Sequence, residues 1–159
     1  MILIRILFIC HGNICRSTMA EFVMKELVRQ AGLQDQIAVA SAACHRDELG
    51  SDTHPGTKAQ LRKKGIPFTP RRARLITPQD YETYDLIIGM DNENMRDLRR
   101  LTKGDPDRKT RLLLDCAGEH REVADPWYTD NFSATYDDVL KGCRALLQHI
   151  MRNKKAPPA

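Results

Sequence analysis

No apolar run in the 159-residue chain approaches the roughly 20 residues that span a bilayer. The opening stretch Met1 to Cys10 is interrupted by Arg5 and followed by polar residues. It also lacks the basic segment before it and the small-residue cleavage pattern after it that mark a signal peptide. It therefore reads as a buried strand, and the protein as cytoplasmic, with no membrane partner. Paired cysteine spacing is missing as well. Cys10, Cys15, Cys44, Cys116 and Cys143 are odd in number, which argues against a secreted disulfide framework and for reduced thiols. Neither sign of charge dominates, since 25 basic against 21 acidic residues leave only +4, too little to imply nucleic acid. There is no internal repeat and no low-complexity segment. With 9 Gly, 8 Pro and 42% hydrophobic residues, a disordered, collagen-like or coiled-coil chain is excluded. One globular domain over residues 1–152 is expected, with residues 153–159 as a disordered tail.

What the chain has is alternation. Ile2 to Ile9 is nearly all apolar, as in a strand covered on both faces. Ser17 to Ala31 carries Met19, Phe22, Val23, Leu27 and Val28 at helical spacing and closes on Gly32. A strand follows at Ile37 to Ala43, then a helix from Gly56 to Lys64, a strand from Asp85 to Met90, and a helix from Glu93 to Leu101. Arg111 to Leu114 reads as a short fourth strand, Asp115 to about Asn131 as a loop, and Ser133 to Met151 as a final amphipathic helix. This order predicts an α/β three-layer sandwich: a central, mainly four-stranded parallel sheet with helices on both faces. Ligands in such folds bind beyond the carboxyl ends of the strands, which directs attention to the loop after the first one.

That loop reads Cys10-His11-Gly12-Asn13-Ile14-Cys15-Arg16-Ser17. A thiol at the strand end can point into a bowl formed by successive backbone N–H groups and the following helix N-terminus, an arrangement suited to an anion. Gly12 and Asn13 are residue types that tolerate the left-handed backbone such a bowl needs. Arg16 can fork onto two phosphate oxygens, and the Ser17 hydroxyl can donate to the sulfur. A helix N-terminus and a neighbouring cation also stabilise a thiolate. A strand-end cysteine is often an inert core residue, yet a cation six residues later has no packing reason. No Gly-Lys-Ser/Thr follows, so this is not a nucleotide-binding P-loop.

The segment resembles the signature loop of the low-molecular-weight protein tyrosine phosphatases: cysteine, five residues, arginine, serine. The similarity continues through Met19-Ala20-Glu21, Ser41-Ala42-Ala43, Ala73-Arg74 and Met90-Asp91, and through the late acidic loop Asp125-Pro126-Trp127-Tyr128. It thus covers about residues 3 to 150. The resemblance implies a metal-independent phosphatase without a cofactor, acting on phosphotyrosine proteins or small aryl phosphates as a monomer or weak dimer. It assigns catalysis to Cys10, Arg16 and Asp125, and substrate contacts to His11, Gly12, Asn13, Ile14, Cys15, Ser17, Asp47, Trp127 and Tyr128. Asp125 also has its own rationale, because a phenolate leaves slowly unless a placed acid delivers a proton. In the family the second loop cysteine, here Cys15, can pair reversibly with the nucleophile and guard it against oxidation.

Two departures bear on specificity. Asp47 stands where many relatives carry an aromatic cleft wall. Arg71 stands where eukaryotic relatives place a histidine that supports the loop asparagine. The related thioredoxin-coupled arsenate reductases need two further mid-chain cysteines, and none lies between Cys44 and Cys116. A phosphocysteine carrier or phosphoprotein-binding module is disfavoured by Arg16 together with Asp125, a hydrolytic pair. Cys10, His11, Cys15 and Cys44 lack recognised ligand spacing, so no metal site is expected. The basic stretch Arg62 to Arg74 reads as a solvated face that could steer acidic substrates.

Overall fold

Ile6, Leu7, Phe8 and Ile9 have no solvent contact at all, as an unbroken apolar run requires. In the computed structural model, which describes residues 3–155, this run is β1 (Ile4–Cys10). It pairs in parallel with β2 (Ile37–Ala43) on one side and β3 (Leu86–Gly89) on the other, and β3 carries β4 (Thr110–Leu112). The order is β2-β1-β3-β4. Met1 and Ile2, expected at the start of the first strand, lie outside the described residues.

Side-chain alternation along β1 sorts the core into two layers. Ile6, Phe8 and Cys10 face α1 (Arg16–Gln30) and α6 (Phe132–Lys155), packing with Met19, Val23, Val139 and Leu146. Leu7 and Ile9 face the opposite layer, where Ile76, Ile87 and Leu98 of α4 (Asn92–Leu101) lie. The architecture is therefore the expected α/β sandwich. Because every strand is parallel, the carboxyl ends of β1, β2 and β3 open onto one edge.

Several local expectations are corrected. The fourth strand stops at Leu112, because Leu113 and Leu114 are both fully buried in one core layer. A strand would send them to opposite faces, whereas the 3-10 turn Leu113–Ala117 turns both inward. A short helix, α3 (Pro78–Thr83), lies where the sequence shows no apolar periodicity; Pro78 at its start and a Thr77/Asp80 capping box make it. The loop before the last helix holds α5 (Pro126–Thr129). Order does not end at residue 152, where the sequence places the start of a disordered 153–159 tail: α6 runs on to Lys155, and the Asn153 side chain contacts His149 Nε2 at 3.2 Å. No glycine or proline stands between Gly142 and Pro157 in the sequence. Residues 156–159 of that tail lie outside the described residues. The remaining helix, α2 (Pro55–Lys63), starts at Pro55 with His54 Nδ1 accepting from the Gly56 N–H.

α6 approaches the 3-10 turn so closely that a Cβ on Gly142 would sit 2.4 Å from Leu113 Cγ. On an exposed helix Gly→Ala gains about 1 kcal/mol, but here overpacking should win and cost about 1–3 kcal/mol. Gly142→Ala is therefore expected to lower the thermal midpoint by several degrees in a melting experiment. An unchanged or raised midpoint would show that α6 can shift freely.

Candidate active site

β1 delivers Cys10 to the carboxyl edge, where the residue is 4% exposed. The chain then turns through residues 11–15 into α1. The turn depends on Asn13, which holds a left-handed φ of 59°. Gly12 does not, contrary to expectation. Its missing Cβ matters instead because Glu48 Cγ would lie 3.2 Å away. Among the described residues, the backbone N–H groups of residues 12–15 find no acceptor in the protein, which leaves a row of donors open to an anion.

Asn13 is fully buried and every polar atom of its side chain is used. Its Nδ2 donates to Ser17 Oγ at 2.8 Å and to Ser41 Oγ at 2.9 Å. Its Oδ1 accepts from Arg71 Nη2, and its backbone oxygen accepts from Arg71 Nη1 at 2.8 Å. Ser41 passes its hydrogen to Glu21 Oε1 at 2.5 Å. Since Ser17 Oγ accepts from Asn13, its own hydrogen is free to point at Cys10 Sγ, 3.0 Å away. Hydrogen bonding thus runs outward-in and ends on the sulfur, which stabilises negative charge there. Arg71 fills the supporting place that the sequence suggested for it. Nothing in the linear sequence marks Ser41 for this role, and the one signal for Glu21 is a glutamate on the inner face of α1.

The Arg16 side chain is 3% exposed. Its Nη1 donates to the Val123 carbonyl at 3.2 Å, and its Nη2 donates to Asp91 Oδ2 at 2.7 Å and lies 3.3 Å from Asp125 Oδ2. Burial works against its charge, but Cys10, Asp125 and Asp91 outweigh it and hold the guanidinium protonated above its ordinary range. Asp91 divides its oxygens, Oδ1 accepting from Asn94 N–H at the start of α4 and Oδ2 holding Arg16. Its position just beyond β3 was the available clue to this role. Asp125 likewise caps α5, with Oδ1 accepting from the Trp127 N–H at 3.0 Å, and so faces the cleft from a separate loop.

Cys10, Arg16, Asp125, His11, Gly12, Ile14, Cys15, Asp47, Trp127 and Tyr128 line one cleft of about 340 Å³, with Glu48, Asp91 and Glu93. Asn13 and Ser17 stand behind its wall. Trp127 and Tyr128 are 70% and 84% exposed, free to receive a flat group. The opposite rim is polar: Asp47 Oδ2 lies 2.6 Å from His11 Nε2, and Glu93 Oε1 lies 2.9 Å from His11 Nδ1. Burial lowers the His11 pKa, but Asp47 and Glu93 outweigh it and raise it. Burial pushes the Cys15 thiol up to about 12, helped by Cys10, so at neutral pH it is a poor attacking group. Burial raises Cys44, Cys116 and Cys143 too, although only Cys143 is fully enclosed and the other two are half-buried.

The profile of a family described as low molecular weight phosphotyrosine protein phosphatase matches residues 5–156. The low molecular weight protein-tyrosine-phosphatase YfkJ of Bacillus subtilis is 37% identical over 155 residues, covering 96% of this chain and 99% of that protein. The YfkJ crystal structure superposes with a TM-score of 0.92 over 96% of this chain and 98% of that one. PtpA of Staphylococcus epidermidis, of the same description, is 34% identical over 95% of this chain and 96% of its own length. SP-PTP, a low molecular weight protein tyrosine phosphatase from Streptococcus pyogenes, superposes with a TM-score of 0.85 at 38% identity over 94% of each chain.

Removing Arg71 would leave the buried Asn13 Oδ1 with only the Arg74 N–H, 3.4 Å away. An unsatisfied buried acceptor costs about 1–3 kcal/mol. Arg71→Ala should therefore lower the urea midpoint by a corresponding amount and weaken inorganic phosphate binding. Unchanged values for both would show that Asn13 holds the loop unaided.

Proposed function

Since the chain belongs to the low molecular weight phosphotyrosine protein phosphatase family, we propose that it hydrolyses phosphotyrosine and small aryl phosphate monoesters through a cysteinyl-phosphate. The observation that carries this reading is the convergence of Cys10, Arg16 and Asp125 on one cleft, with Ser17 donating to the sulfur.

In the first step the Cys10 thiolate attacks phosphorus in line with the ester oxygen. The P–O bond breaks, and Asp125 delivers its proton to the departing phenolate. The open N–H groups of residues 12–15 and the Arg16 guanidinium hold the three equatorial oxygens as charge develops. Arg16 is already aimed: Asp91 and the Val123 carbonyl grip it from behind, so little reorganisation is needed when the dianion arrives. In the second step Asp125, now ionised, takes a proton from water as the water oxygen attacks phosphorus. The P–S bond breaks, releasing inorganic phosphate and restoring the thiolate. Positive charge comes from the cradle, so the scheme calls for no metal cofactor. Trp127 and Tyr128 provide an apolar face for the substrate ring, while Asp47 makes the facing wall polar. Five unpaired thiols suit work in a reducing compartment such as the cytoplasm. Among the described residues no helix is long and apolar enough to cross a membrane.

The test compares turnover of phosphotyrosine, phosphoserine and para-nitrophenyl phosphate, with and without a chelator. Phosphotyrosine and the aryl ester should turn over far faster than phosphoserine, and the chelator should not reduce the rate. Cys10→Ser should abolish turnover while still binding phosphate, and full activity in that variant would sink the mechanism. Asp125→Asn should slow phosphotyrosine cleavage by about 10²–10⁴-fold. It should do so less for esters whose leaving group is already acidic, and an equal loss across leaving groups would remove Asp125 as the acid.

A further inference from the structure

Outside the reacting groups, the chain gathers two imidazoles around one carboxylate oxygen. Glu93 Oε1 lies 2.9 Å from His11 Nδ1 and 3.6 Å from His45 Nε2, and His45 Nε2 in turn lies 2.9 Å from Asp97 Oδ2. One ligand atom from each of His11, His45 and Glu93 lies within 4.8 Å of the others. The two rings stack with centroids 4.2 Å apart and planes 17° from parallel, so their nitrogens lie side by side and both rings must rotate to share one ion. His11 comes from the loop after β1, His45 from the loop after β2, and Glu93 and Asp97 from α4, which is why linear spacing could not show the group.

Tetrahedral zinc with bonds near 2.0–2.2 Å separates its ligand atoms by about 3.3 Å, and the distances of 2.9 and 3.6 Å to Glu93 Oε1 bracket that value. The outer contacts fit as well. Metal-bound histidines commonly donate their second ring N–H to a carboxylate, and His11 Nε2 has Asp47 Oδ2 at 2.6 Å. With that hydrogen on Nε2, an unprotonated Nδ1 would face the Glu93 oxygen lone pair to lone pair. A proton or a cation must lie between them. The His11 and His45 side chains are 43% and 40% exposed, so rotating them onto an ion disturbs no core packing.

We propose that His11 Nδ1, His45 Nε2 and Glu93 Oε1, with Asp97 beside them, form a site for a zinc-class divalent cation at the mouth of the phosphate cleft. Two nitrogens and hard carboxylate oxygens suit zinc better than magnesium or calcium, which prefer all-oxygen shells. Because His11 lines the cleft next to Cys10, an ion held there narrows the path to the sulfur and slows substrate entry. This inhibitory consequence rests on the phosphatase reading; the binding itself does not.

The experiment is calorimetric titration of chelator-treated full-length protein with zinc chloride. One site is expected in the wild type and in Cys10→Ser, at least tenfold weaker in His45→Ala and in Glu93→Gln. No binding in the wild type, where a proton alone occupies the gap, overturns the proposal. Equal affinity in His45→Ala and Glu93→Gln does so too, as does loss of the site in Cys10→Ser, which would move the ion to the thiolate. In a parallel assay zinc should inhibit wild-type hydrolysis of para-nitrophenyl phosphate, reversibly with EDTA. His45→Ala should keep its basal rate and resist the metal. Zinc binding to a protein that hydrolyses nothing would leave the site standing and refute the phosphatase reading alone.

Discussion

The site hangs on one buried asparagine. Asn13 adopts a backbone conformation that costs most side chains energy, and it does so without solvent contact, where each unpaired polar atom would add its own penalty. The surrounding bonds therefore have to be complete, and they are: Ser17 and Ser41 take its amide hydrogens, and Arg71 covers both of its oxygens. This arrangement orients more than the loop. By filling a lone pair of Ser17, it turns that hydroxyl's hydrogen toward Cys10, so a conformational constraint becomes an electrostatic one.

Keeping Arg71 half-buried has a cost, visible in its lowered pKa: burial opposes its charge more than Glu21, Cys10 and Asp52 support it. Glu21 supports the network from the other end, accepting from Ser41 and pairing with Lys25 at 2.5 Å. Charge is thus threaded from the surface of α1 through Ser41 and Asn13 to the guanidinium of Arg71. Such networks are stable when every member is satisfied and fail together when one is lost.

Around the cleft the charges are divided by depth. The deep cation, Arg16, is clamped by Asp91 and the Val123 carbonyl and approached by Asp125. The mouth carries carboxylates, Asp47, Glu48 and Glu93, partly balanced by His11. The floor of the cleft is thus positively charged and its entrance negatively charged. The cations of the basic stretch around Arg62 to Arg74 do not all face solvent unpaired. Arg62 sits over Phe68, Arg71 turns inward to Asn13 and Arg74 pairs with Asp80.

The sheet, its flanking helices and the Cys10–Ser17 loop were legible in the linear chain, because period-two and helical apolar patterns and the Cys10-to-Ser17 spacing are local properties. Elements built on capping, such as α3 at Pro78, or on two adjacent inward leucines at Leu113 and Leu114, were not, since they carry no periodicity. Cys10, Arg16 and Asp125 could be named from sequence, as could the place of Arg71. The roles of Asp91, Ser41 and Glu21, and the meeting of His11 with His45 and Glu93, required the fold. Hydrogen-bond direction and ligand distance arise between segments far apart in the chain, and only the parallel packing of β1, β2 and β3 brings their carboxyl ends to one edge.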